Sequence, residues 1–141
     1  MHDGLNGEVS RVNVRSIYRP YVVAVDGDER LAQAAARMHD QQVGALVVMV
    51  DDRFAGILTE RDLTRAIVEG ADLESLTTSD YMTAGPAAVG LDADVHEVAA
   101  TMFELGCRHL PVVDDDGKRV LGMVSIRDLL GTAIRLVGPT G

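Results

Sequence analysis

Gly56-Ile57-Leu58-Thr59-Glu60-Arg61-Asp62-Leu63 returns later in the chain as Gly122-Met123-Val124-Ser125-Ile126-Arg127-Asp128-Leu129. In both copies a glycine and two apolar residues run into a hydroxyl residue, and an aspartate stands three places after that hydroxyl. The apolar stretch reads as the end of a short strand. The Ser/Thr-x-x-Asp spacing reads as the start of a helix, because the hydroxyl can accept from a first-turn amide while the carboxylate reaches back to the cap residue. A strand-to-helix junction written twice is the signature of an internal repeat.

The repeat extends outward from these junctions. Val25 to Met38 matches Val89 to Met102 at an offset of 64, with Val25, Asp28 and Met38 aligned on Val89, Asp92 and Met102. The junctions themselves are 66 apart, so two extra residues fall in Asp114-Asp115-Asp116-Gly117-Lys118-Arg119, a turn-forming stretch. Each half opens with a short apolar strand, Tyr21 to Val25 or Ala87 to Val89. Asp28 or Asp92 stands where a helix N-cap is wanted. Leu31, Ala34, Ala35 and Met38, like Val95, Val98, Ala99 and Met102, have the spacing of one buried helical face. Gln42 and Gly106 mark the helix ends, and Gly106 suits a left-handed position. Two strands follow, Ala45 to Val50 and Phe54 to Leu58 in the first half, His109 to Val113 and Val120 to Val124 in the second. Pro111 has no amide proton for a ladder and must turn that side to an edge or a bulge. The order is β-α-β-β-α, twice, in an α/β chain of the α+β type. Ser79 to Thr83 reads as a short helical turn leading into the second half, and Ser16 to Arg19 as its counterpart in the first. The expected organisation is a flexible tail over 1–15, one unit over 16–70, a linker over 71–79 and a second unit over 80–138. Units this small bury little surface alone. They are expected to pack as one pseudo-twofold pair, and symmetry then favours a homodimer.

Composition narrows the function. The chain has 141 residues, of which 47% are hydrophobic but only 4% aromatic, so its cores must be aliphatic. A formal net charge of −9 argues against a nucleic-acid surface and against docking on anionic lipid. A single cysteine, Cys107, cannot close an internal disulfide. With no apolar window long enough to span a membrane and no leader-like start, a cytoplasmic location is expected. Asp51-Asp52 and Asp114-Asp115-Asp116 lack the alternating ligand spacing of a calcium loop. His2, His39, His96 and His109 show no zinc spacing. No metal site, cofactor or catalytic constellation is read from the residues, and the chain is expected not to be an enzyme.

Taken together, these stretches resemble the CBS-domain family, named for cystathionine β-synthase, in its paired form. The resemblance rests on Met102, on Gly106-Cys107-Arg108-His109-Leu110-Pro111-Val112-Val113-Asp114, on Gly117, and on the two junctions. In the first half it rests on Val43-Gly44-Ala45-Leu46-Val47-Val48, and Tyr81-Met82-Thr83 is similar to the segment that opens each family unit. It covers roughly residues 16–136. It implies a regulatory module that binds an adenosine-containing ligand such as AMP, ADP, ATP, NAD or S-adenosylmethionine and acts on a partner protein. The chain is accordingly expected to be a stand-alone sensor. The alternative is a ligand-free homodimeric interaction module.

The resemblance also distributes roles. Asp62 and Asp128 are expected to bind ribose, since a carboxylate can accept from two adjacent hydroxyls. Thr59 and Ser125, with the amides at a helix start, are expected to hold phosphate, helped by Arg61, Arg127, Arg108 and His109. Adenine would lie against Val22, Val23, Ala45 and Leu46 in the first half, and against Ala87, Ala88, Leu110 and Pro111 in the second. On the residues alone, each Ser/Thr-x-x-Asp reads first as a helix cap, and the apolar positions as sheet core; the resemblance is what brings in the ligand. Only the second half carries Arg108 and His109, where the first has Gly44 and Ala45. The second site is therefore expected to favour phosphorylated ligands. Arg19, ahead of the first strand, lies where a nucleotide tail would pass.

Overall fold

The structure, a computed structural model, describes residues 12–137. These fall into two compact units, one built from residues 22–86 and the other from residues 12–21 together with residues 87–137.

In the unit of residues 22–86, strands β1 (Ala24–Asp26), β2 (Ala45–Val50), β3 (Arg53–Thr59) and β4 (Thr83–Ala84) form a four-stranded sheet in that order. β1 and β2 run parallel, joined by helix α1 (Leu31–Gln41), while β2–β3 and β3–β4 are antiparallel. Parallel neighbours need such a crossover, whereas β2 and β3 need only a tight turn. Asp51 and Asp52 supply that turn, both at positive φ (51° and 61°), the twist that suits a two-residue hairpin. Helix α2 (Glu60–Val68) leaves the end of β3, and a single turn, α3 (Thr78–Tyr81), precedes β4. Val25, Leu31, Ala34, Met38, Leu46, Val48, Leu58 and Ala66 form the buried core.

The second unit repeats this plan. Helix α4 (Val95–Leu105), strands β5 (His109–Val113) and β6 (Val120–Ser125) and helix α5 (Ile126–Val137) follow the same order. The two outer strands shrink to single bridges: Val89 pairs parallel with Val112, and Arg19 pairs antiparallel with Met123. Val14, Val98, Met102, Leu110, Val112 and Val124 fill its core. The amide side of Pro111 faces the Val89 edge, since Val89 N donates to Pro111 O and Val113 N to Val89 O. The two extra residues lie in the turn between β5 and β6, closed by Asp114 N donating to Arg119 O, with Gly117 at φ 75°.

The β-α-β-β-α order and the helix faces agree with the sequence reading, but several local expectations need correction. The helix caps sit two residues later than Asp28 and Asp92. Asp94 accepts from Glu97 N, while Arg30 is the α1 cap and its amide donates to Gln33 Oε1. Asp92 instead pairs with Arg15 at 3.0 Å. The first strand begins at Ala24, leaving Tyr21 and Val22 exposed.

The packing units cut across the sequence repeats. Residues 12–15, expected in a flexible tail, are held: Val95 N donates to Val12 O, Val14 N to Ala93 O, and Val14 is fully buried. The rest of that tail, residues 1–11, lies outside the described residues. Residues 16–21, expected with the first half, pack with the second. The presumed linker is structural too. Leu31 N and Ala32 N donate to Leu76 O and Leu73 O, and Ala71, Leu73 and Leu76 cover the first core. Each repeat's leading segment thus closes the sheet of the other repeat. The reason is edge pairing, since Met123 N donates to Arg19 O and Arg19 N to Met123 O, so the outer backbone of β6 is not left unpaired.

Candidate functional site

The two junctions adopt nearly the same geometry. At the start of α2, Asp62 Oδ2 accepts from Thr59 N at 2.9 Å and from the Thr59 hydroxyl at 3.1 Å, while Asp62 N donates to Thr59 Oγ1 at 3.3 Å. At the start of α5, Asp128 Oδ2 accepts from Ser125 N at 2.8 Å and from its hydroxyl at 3.0 Å, and Asp128 N donates to Ser125 Oγ at 3.3 Å. Both are complete capping boxes. The next amide is engaged as well: Glu60 N donates to Gly44 O, and Ile126 N to Arg108 O. These bonds stitch each helix start to the residue just ahead of β2 or β5.

One oxygen of each carboxylate is thereby committed to the fold, and the other faces an arginine. Asp62 Oδ1 lies 3.6 Å from Arg65 Nη2, and Asp128 Oδ1 lies 3.8 Å from Arg19 Nε. Both distances exceed hydrogen-bond length. The carboxylates are only 11% and 14% exposed, so each is a mostly buried anion with one weakly engaged oxygen. Such an oxygen can accept hydroxyl protons from a ligand without dismantling the cap.

Arg65 is held on several sides. Its Nη2 donates to Tyr81 O at 3.1 Å, its guanidinium carbon stands 4.7 Å from the centroid of the Tyr81 ring, and Nη1 lies 4.0 Å from Glu69 Oε2. The Tyr81 hydroxyl donates to Glu69 Oε1 at 2.7 Å, which holds the phenol above its ordinary pKa. Arg19 has a different mounting. Its backbone is bonded in both directions to Met123, while its side chain is 37% exposed.

Around the first junction, Thr59 is half-buried, Arg61 and Val22 are exposed, and Val23 is half-buried. Ala45 is buried at the start of β2, paired with Thr59. Around the second, Arg108, Arg127, Ala87 and Ala88 are exposed, and His109 is half-buried and paired with Ser125. Leu46, Leu110 and Pro111 are almost wholly buried. Of the expected adenine-contacting residues, these three, like Ala45, have their side chains in the core. Sequence reading missed Arg65 altogether and did not join Arg19 to Asp128. The i,i+3 spacing of Asp62 and Arg65 was a signal that could have been read. Nothing local in the chain links Arg19 to Asp128. Among the described residues, no helix is long and apolar enough to cross a membrane.

Comparison with known proteins agrees with the fold. The family model described as "CBS domain" matches twice, at residues 14–69 and 79–134. An uncharacterized protein of Methanopyrus kandleri is 32% identical over 121 residues, 84% of this chain and 61% of that protein, so the chain spans about three fifths of that relative. The crystal structure of a CBS-domain-containing protein from Agrobacterium tumefaciens is 30% identical and superposes with a TM-score of 0.81, covering 86% of this chain and 93% of its own. A CBS domain protein from Pyrobaculum aerophilum, solved in complex with AMP, is 25% identical with a TM-score of 0.77, covering 86% and 98% respectively. With two matched repeats spanning most of the sequence, the chain belongs to the CBS-domain family.

Proposed function

We propose that the chain senses an adenosine-containing ligand and passes its occupancy on to a partner protein. The observation that carries this reading is the divided carboxylate: in each unit one aspartate oxygen completes a helix cap and the other is only loosely engaged. Asp62 and Asp128 would take the ribose hydroxyls. Thr59 and Ser125, assisted by Arg61, Arg127, Arg108 and His109, would face the phosphate end, and Val22, Val23, Ala45, Ala87 and Ala88 would face the base. The AMP complex of the Pyrobaculum relative supports the ligand class. Because Arg108 stands where the first half has Gly44, the second unit is the stronger candidate for phosphorylated ligands. The sensor itself carries out no reaction.

Calorimetry with AMP, ATP, NAD and S-adenosylmethionine tests the reading. At least one should bind saturably. Asp62→Asn and Asp128→Asn should each weaken one site by about tenfold to a hundredfold, as expected for losing hydrogen bonds to a charged acceptor. Asparagine keeps an oxygen for the cap, so thermal unfolding should show both variants folded. Absence of binding by any of these compounds would reject the sensor.

A second reading, a ligand-free homodimeric interaction module, is favoured by a different observation. Phe103 and Leu105 on α4, and Leu130, Ile134 and Val137 on α5, are more than half exposed, Phe103 at 86%. A surface this apolar suits burial against another chain. A homodimer is compatible with both readings, and ligand binding is what separates them.

A further inference from the structure

The two repeats place a guanidinium beside equivalent carboxylates but draw it from different positions. Arg65 comes from one turn further along the same helix as Asp62; its repeat counterpart in α5 is Gly131. Arg19 comes from the leading segment; its counterpart ahead of the other sheet is Thr83. In each unit an arginine thus stands beside the carboxylate, on a different support.

The supports differ in what they allow. Arg65 cannot leave Asp62 without giving up the Tyr81 carbonyl, the Tyr81 ring and the proximity of Glu69. Arg19 has a fixed base and a lightly held head. Its Cα is pinned by the paired bonds to Met123 at 2.9 and 3.1 Å, while its side chain, although less exposed than that of Arg65 (37% against 48%), makes among the described residues only the 3.8 Å approach of Nε to Asp128 Oδ1. At that distance the N–H groups directed at the carboxylate make no full hydrogen bond.

We propose that Arg19 is the residue that selects anionic ligands at the Asp128 site, passing from the carboxylate to the ligand's phosphate when the ligand's hydroxyls take Asp128 Oδ1. This rests on the adenosine reading above. The exchange conserves pairing: carboxylate with arginine becomes carboxylate with diol and arginine with phosphate. A phosphorylated adenosine completes both halves of the exchange. Uncharged adenosine takes the carboxylate and leaves Arg19 facing water, with nothing gained at that end. At Asp62 the tethered Arg65 makes no such transfer, so that site distinguishes the two compounds less. Arg19 is also held on its strand by backbone bonds, so little further ordering is needed when it grips an anion.

The test is calorimetry on the full chain with AMP and with adenosine, in an Asp62→Asn background that leaves the Asp128 site. Arg19→Gln should weaken AMP at least tenfold and change adenosine less than threefold. Arg19→Lys should recover part of the AMP affinity, because it restores the charge without the planar fork. In an Asp128→Asn background, Arg65→Gln should move AMP and adenosine alike. The backbone bonds of residue 19 do not depend on its side chain, and an unchanged thermal midpoint would confirm an intact fold. An AMP-to-adenosine ratio unaffected by Arg19→Gln overturns the inference while the adenosine reading survives. If the unmodified chain binds neither compound, both fall. If Arg108→Gln alone abolishes the discrimination, the selecting residue is Arg108, and the role given to Arg19 is wrong.

Discussion

A Cβ on Gly122 would run into the carbonyl oxygen of Arg19 and the ring of Tyr18, and one on Gly56 into the carbonyl oxygen of Thr83. These glycines are there because a neighbouring backbone passes directly over them, which no L side chain permits. Gly56→Ala and Gly122→Ala should each lower stability by about 1–3 kcal/mol in urea titrations. Gly90→Ala, where a Cβ meets open space, should stay within about 0.5 kcal/mol. Glu29 makes a different kind of residue-level prediction. It accepts from Arg37 Nη1 and Nη2 at 2.9 and 2.8 Å and from Asp26 N at 2.8 Å. The bonds from Arg37 hold its pKa below the ordinary 4.5. A depressed carboxylate stabilises the fold above its unfolded pKa, and that contribution disappears as pH falls through the folded value. Glu29→Gln should therefore cost about 1–3 kcal/mol at pH 7. The gap between wild type and variant should close as the pH is taken below the ordinary glutamate range, which denaturation at a series of pH values would read.

Among the elements, those written in local code were legible. The two Ser/Thr-x-x-Asp junctions, the apolar faces of α1 and α4, the helix ends at Gln42 and Gly106, with Gly106 left-handed, and the gap before β6 can all be read from neighbours in the chain. The leading segments could not be read in this way. Val14 to Arg19 is short, and its partners Ala93, Leu91 and Met123 lie more than seventy residues away, a separation that no periodicity reports. The same blindness hid the Arg19–Asp128 pair, and with it half of the site's electrostatics. The apolar residues offered to adenine are ambiguous for another reason: strand burial and ligand contact call for the same side chains. If the leading segment is part of the second unit rather than a tail, Val14→Ala should cost about 2 kcal/mol by removing two buried methyl groups. It should also speed hydrogen exchange at the amide of Met123, which donates to Arg19 O. Exchange unchanged at Met123 would mean that the segment contributes little.

For the whole molecule, the apolar side chains left uncovered on α4 and α5 point to self-association. Sedimentation equilibrium should give twice the chain mass at micromolar concentration, and Phe103→Glu with Ile134→Glu should halve it while leaving the thermal transition cooperative. A monomeric wild type would count against the homodimer. The exchanged leading segments bear on the whole chain in another respect, the order in which it is made. Residues 22–86 are continuous, so everything that unit needs has emerged by the time Pro86 is synthesised. The other unit must wait, because its first ten described residues, 12–21, are produced before the insert and their partners only after it. Joining them across 65 unfolded residues would cost about 4 kcal/mol of loop-closure entropy. Once the earlier unit has folded, β1 and β4 hold its two ends only three strand spacings apart, about 15 Å, and most of that cost is already met. The first unit to fold thus acts as a clasp for the second, and a core truncation such as Leu46→Ala should slow refolding of residues 87–137 more than Leu110→Ala slows refolding of residues 22–86.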